Sequence, residues 1–151
     1  MRCLRFAGIL ALSGLLVLVS ACTRSDMAVP LPSGPSTIAL IFDLEAVPNV
    51  IMATDSRPTA TIKATVWNNG LVVSGQTVFF TITSGPGEFS DYSTRIAVQT
   101  DSTGVAAVTF IGPTMYEMSG DTNATIKAQV QTTSPNYLYK TIDVRILKGS
   151  V

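Results

Sequence analysis

Period-two alternation runs through most of this chain, and it restricts what the chain can fold into more than any other feature. Ala60, Ile62, Ala64 and Val66 alternate with Thr61, Lys63 and Thr65. Val78, Phe80 and Ile82 alternate with Thr77, Phe79, Thr81 and Thr83, and Ala124, Ile126, Ala128 and Val130 with Thr125, Lys127, Gln129 and Gln131. Ile38 to Leu44, Ile96 with Val98, Ala106 to Phe110, and Ile142 to Ile146 repeat the pattern. Successive side chains of a strand point to opposite faces, so short β-branched runs of this kind are half-buried antiparallel strands. Turn residues separate them: Asn68-Asn69-Gly70, Ser84-Gly85-Pro86-Gly87, Asp101-Ser102-Thr103-Gly104, Ser119-Gly120-Asp121 and Ser134-Pro135-Asn136. After the first 21 residues no segment carries a helical period.

About seven such strands predict an all-β sandwich of two sheets. The strings ATIKATV, starting at Ala60, and ATIKAQV, starting at Ala124, are nearly identical without flanking similarity. They are expected to be two central strands, one in each sheet, whose small and large residues interdigitate. The expected core is Ile62, Ala64, Val66, Val78, Phe80, Ile82, Val108, Phe110, Ile126, Val130, Ile142 and Val144.

The N-terminus is built differently. Arg2 and Arg5 precede an apolar segment from Phe6 to Val19, which ends in Ser20-Ala21-Cys22. A basic start, a short apolar run and small residues before a cleavage point make a secretory signal peptide. The run is short for a membrane span, which needs roughly 20 apolar residues. Val19-Ser20-Ala21-Cys22 resembles the lipobox of bacterial lipoproteins. That resemblance implies removal of residues 1–21, acylation of Cys22, and residence on a membrane of the bacterial cell envelope. Thr23 stands where an aspartate would mark inner-membrane retention, so the outer membrane is implied in an organism that has two. Residues 22–36 hold Pro30, Pro32 and Pro35 among serines and read as a tether, leaving 37–151 for the sandwich.

From ten basic and ten acidic residues, loss of Arg2 and Arg5 leaves a mature net charge of −2. With no basic cluster, nucleic acid is not an expected partner. Cys3 leaves with the leader, so no disulfide is expected in the domain.

TATIKATVWNNGLVVSGQTVFFTITSGPGEFS followed by TDSTGVAAVTFIG resembles the bacterial immunoglobulin-like group-1 domain of intimin- and invasin-type proteins. The likeness covers 37–147 and includes Gly70, the Gly75-Gln76-Thr77-Val78-Phe79-Phe80 run, a plug at Phe89 and the Thr100–Ala106 segment. It implies an immunoglobulin-like antiparallel β-sandwich with a binding, adhesive or structural role. The stretch 112–120 is longer than the family's usual link.

There is no histidine, which removes Ser-His-Asp and Cys-His nucleophiles and imidazole acid–base work. Of the common catalytic systems only a carboxylate pair is left, among Glu45, Glu88, Asp91, Glu117 and Asp121, all near turns. Asp101 reads as an aspartate closing its own turn; a calcium ligand is the alternative. No cofactor or metal is expected. The remaining candidates for partner contact are the aromatics Trp67, Phe79, Tyr116, Tyr137 and Tyr139. Two readings stand: contact with an envelope protein, or a stacking platform for a glycan built from Tyr137, Tyr139 or Trp67.

Overall fold

The computed structural model describes residues 40–131 and 137–150. The leader, Cys22, the tether and the Ser134-Pro135-Asn136 turn lie outside the described residues. Among the described residues ten strands form two sheets. In chain order they are β1 (Leu40–Val47), β2 (Val50–Ala53), β3 (Thr59–Asn68), β4 (Leu71–Val72), β5 (Thr77–Ser84), β6 (Glu88–Phe89), β7 (Arg95–Gln99), β8 (Val105–Ile111), β9 (Thr122–Val130) and β10 (Leu138–Lys148). One sheet runs β1-β3-β8-β6 with β4 paired to β3; the other runs β2-β10-β9-β5-β7. The first has the A-B-E-D order and the second the G-F-C order of an immunoglobulin sandwich.

The expected pair of central strands is there. ATIKATV lies in β3, between β1 and β8, and ATIKAQV lies in β9, between β10 and β5, in the other sheet. Every Ala, Ile and Val on the inner parity of both strings is buried. Across the second sheet the inner rows are Val98–Val78–Val130–Leu138 and Ile96–Phe80–Ala128–Lys140. Small residues opposite large ones let the two layers interlock at crystal-like density. Ten of the twelve expected core residues are buried, whereas Ile82 and Ile142 are half-buried. Ile82 adjoins the register shift at the end of β5, and Ile142 lies on the part of β10 that has no β2 neighbour.

The structure corrects the all-antiparallel expectation at one pair. After β1 the chain passes Val47-Pro48-Asn49, leaves the first sheet, and β2 pairs with β10 in parallel. The switch gives both sheets cover from one N-terminal segment: β1 buries Phe42, Leu44 and Ala46, and β2 buries Ile51 and Ala53. The long 112–120 stretch closes the same end of the sandwich. Its single 3₁₀ turn, Met115–Glu117, hangs from Thr54 by the Met115 N–H (3.0 Å), and Met115 and Met118 plug the gap between the layers.

Candidate functional site

The sandwich has two chemically different ends. At one, which we call the Leu40 end, β1 begins, β3 stops and turns into β4, and β10 begins. Asn69 and Gly70 both have positive φ (50° and 79°), as a two-residue type I′ hairpin loop requires. That loop folds β4 back so that Val72 pairs with Trp67, which pairs with Ile41 on its other side. The row Ile41–Trp67–Val72 therefore lies on the outer face of the first sheet. Ile41, Leu71 and Val72 are exposed, and Trp67 is half-buried between its neighbours. Tyr137 and Tyr139 project at the same end, both exposed. Lys140, on the inner parity of β10, reaches across the seam between the sheets. Its ammonium passes 5.9 Å from the Phe42 ring centroid and donates to Asp43 Oδ1 at 3.0 Å. That hydrogen bond holds the Asp43 carboxyl below its ordinary range.

Thr100 to Gly104, which carries much of the family likeness, fastens this end from the other side. Thr100 is buried; its hydroxyl donates to the Val73 carbonyl (2.6 Å) and accepts from the Gln76 N–H (2.9 Å). Asp101 Oδ1 accepts from the Thr103 hydroxyl (2.6 Å), the Thr103 N–H (2.8 Å) and the Val105 N–H (3.1 Å). These donors, the Thr103 hydroxyl foremost, keep its carboxyl below the usual range. Asp101 thus closes its own turn. Asp91 does the same with Ser93.

The far end is charged. Arg57 sits between two carboxylates, ion-paired with Glu88 and, at 3.4 Å, with Glu117. They border a cleft of about 230 Å³ walled by Pro86, Gly87, Gly112 and Pro113. Glu117 Oε2 also accepts the Thr114 N–H at 2.8 Å, and this bond with the Thr114 hydroxyl and Arg57 holds its carboxyl low. Two carboxylates do converge, then, but a guanidinium stands between them. A general acid must keep its proton near neutral pH; Glu117 is shifted the opposite way. Glu45 faces Lys63 across β1 and β3, and Asp121 accepts the Lys148 N–H at 2.9 Å and lies 4.0 Å from Arg145. Among the described residues no three His, Cys, Asp or Glu side chains group together.

The five aromatics divide accordingly. Trp67, Tyr137 and Tyr139 share the Leu40 end. Tyr116 stands exposed at the far end, on the 3₁₀ turn. Phe79 is half-buried on the outer face of the second sheet, paired with Ala97 and Gln129, with the Arg95 guanidinium 5.4 Å from its ring centroid. Sequence reasoning missed Tyr92, which is 80% exposed with φ 62°, an uncommon conformation for a bulky residue. The signal available was the Asp-x-Ser/Thr spacing that Asp91-Tyr92-Ser93 shares with Asp101-Ser102-Thr103. It also missed Ile41, on the outward parity of β1, and Leu71 and Val72, whose exposure follows from the hairpin that Asn69-Gly70 announces.

No family model matches this chain, and no curated protein matches it. Among solved structures it is similar to the D00-D0 domain of intimin, at 22% identity and a TM-score of 0.49, over 67% of this chain and 45% of that one. It is also similar to a conjugate transposon protein from Bacteroides vulgatus, at 15% identity and a TM-score of 0.38, over 73% of this chain and 86% of that one. The chain thus spans less than half of the intimin structure. The immunoglobulin-like assignment stands on its own strand order.

Proposed function

We propose that this chain is a lipid-anchored module of the bacterial cell envelope that works by binding or bracing a partner and carries out no chemistry. The observation that carries the reading is the state of its acids. Among the described residues, Glu88 and Glu117 converge on an Arg57-centred clamp that ties β6 to the 112–120 stretch, and Asp91 and Asp101 are spent on their own turns. Acyl chains on Cys22 would supply the anchorage. One chain alone binds marginally at ~0.8 kcal/mol per buried CH₂, so the multiple acylation of the lipobox class is what makes the attachment stable. Thr23 favours the outer membrane where there are two. The partner is an envelope protein or a glycan, and the exposed Tyr137 and Tyr139 give the glycan reading its platform.

The test uses whole cells. Cys22→Ala should move the protein from the membrane fraction to the soluble one. Glu88→Gln and Glu117→Gln should leave partner capture from the native envelope nearly unchanged, while Tyr139→Ala weakens it. A hydrolase activity of the purified protein that Glu117→Gln abolishes would refute the reading.

A further inference from the structure

We infer that the first-sheet face at the Leu40 end of the sandwich is a membrane-contact surface: Ile41, Trp67, Leu71 and Val72 rest on the lipid interface to which the chain is tied. The inference rests on the proposed anchor at Cys22 and says which face of the domain meets the bilayer. Three observations lead to it.

The first is composition. Leu71 is 75% exposed and Ile41 57%, beside Val72 and the half-buried Trp67. Cross-strand pairing makes Ile41, Trp67 and Val72 neighbours in one row, with Leu71 next to Val72 in the chain. Contiguous apolar surface on a folded domain marks a place where something binds. A tryptophan among aliphatic side chains suits the boundary between headgroups and acyl chains, where the polar end of the ring stays wet.

The second is charge. Among the described residues three of the four ion pairs, those of Arg57 and of Arg145 with Asp121, lie towards the far end. At the Leu40 end the Lys140 ammonium is matched by Asp43, and the Asp101 carboxylate is bonded to its own turn. Bringing this end to a lipid surface therefore strips water from fewer charged groups than bringing the far end, where Arg57, Glu88, Glu117, Arg145 and Asp121 gather.

The third is where the chain outside the described residues arrives. Leu40 opens β1 at this end, eighteen positions after Cys22. Whatever its conformation, that segment reaches at most about 60 Å, and it joins the domain at this end. A contact made within one tethered molecule needs little intrinsic affinity, because the tether sets a high effective concentration. A free partner gets no such help, which favours lipid over a soluble occupant.

Trp67 is the only tryptophan of the chain, so its emission reads the surface directly. The full-length lipidated protein is reconstituted into vesicles of phosphatidylcholine and phosphatidylethanolamine, with or without bromine at shallow acyl positions. The protein should float with the vesicles, and its emission should be quenched by brominated lipid and shielded from iodide. The double variant Leu71→Ser, Val72→Ser should lose both effects while still floating and keeping its urea midpoint. Flotation with Trp67 unquenched by bromine and open to iodide overturns this inference and leaves the anchor standing. Shielding from iodide without bromine quenching, growing with protein density, makes a second copy the occupant and overturns it too. Failure to float removes the anchor and this inference with it.

Discussion

Phe79 and Phe80 are adjacent in sequence and opposite in fate, and replacing each by alanine tests the register of the whole second sheet. Phe80 is fully buried on the inner face, between Ile96 on β7 and Ala128 on β9. Its neighbour across the ladder is an alanine, which cannot reach into the space left by the ring. Phe80→Ala should therefore incur the full cavity cost of ~3–5 kcal/mol. That is a large part of the ~5–15 kcal/mol that holds a domain of this size together. Phe79 faces outward, half-buried, under the Arg95 guanidinium. Its loss removes part of an apolar burial and a cation–π contact of ~0.5–1 kcal/mol, about 1–1.5 kcal/mol in all. With a urea m-value of ~1–3 kcal/mol/M, the Phe80 variant should melt roughly 2 M earlier than the parent and the Phe79 variant well under 1 M earlier. Equal shifts, or a larger one for Phe79, would show that the strand has been read one residue out of register.

The corner between the sheets gives a second contrast. Gly85 has φ +83°, and a Cβ there would collide with the Asn123 carbonyl, which is backbone and cannot swing away. Gly85→Ala should abolish cooperative unfolding, whereas Gly70→Ala, with open space around it, should lose only the left-handed penalty of ~1–2 kcal/mol; circular dichroism melts of the two decide it. Acid stability follows from Asp43, Asp91, Asp101 and Glu117, whose carboxyls all lie below their ordinary range in the fold. Their contribution is complete above the unfolded pKa of about 4 and is lost as pH falls through the lower folded values. Asp101→Asn keeps an acceptor for the turn but no longer titrates, so its urea midpoint should fall less than the parent's between pH 7 and pH 3. An unchanged slope would contradict the Asp101 assignment.

The strands were legible because burial on one face imposes a local period. β3, β5, β8, β9 and β10 each announce their inner face through alternation, and the ATIKATV and ATIKAQV strings were correctly assigned to opposite sheets. β2 was not legible: four residues are too few to show a period, and the residues it pairs with in β10, from Arg145 on, lie far along the chain. Met115 and Met118 were missed for a similar reason, since one 3₁₀ turn has no repeat to detect. The Arg57–Glu88–Glu117 clamp joins three segments separated by 31 and 60 positions. Nothing local in any of them reports the other two, so the acids could be named and their convergence could not. Trp67, Tyr137 and Tyr139 could be named from the sequence, the two tyrosines as one face of a strand start; that they share an end with Leu71 and Val72 follows from the strand order.

The account depends most on a domain held at a membrane through Cys22, and the intact mass of the membrane-extracted protein tests that directly. The predicted species starts at Cys22 and carries the added mass of diacylglycerol. A chain that begins at Met1, or an unmodified Cys22 in the membrane fraction, would contradict it.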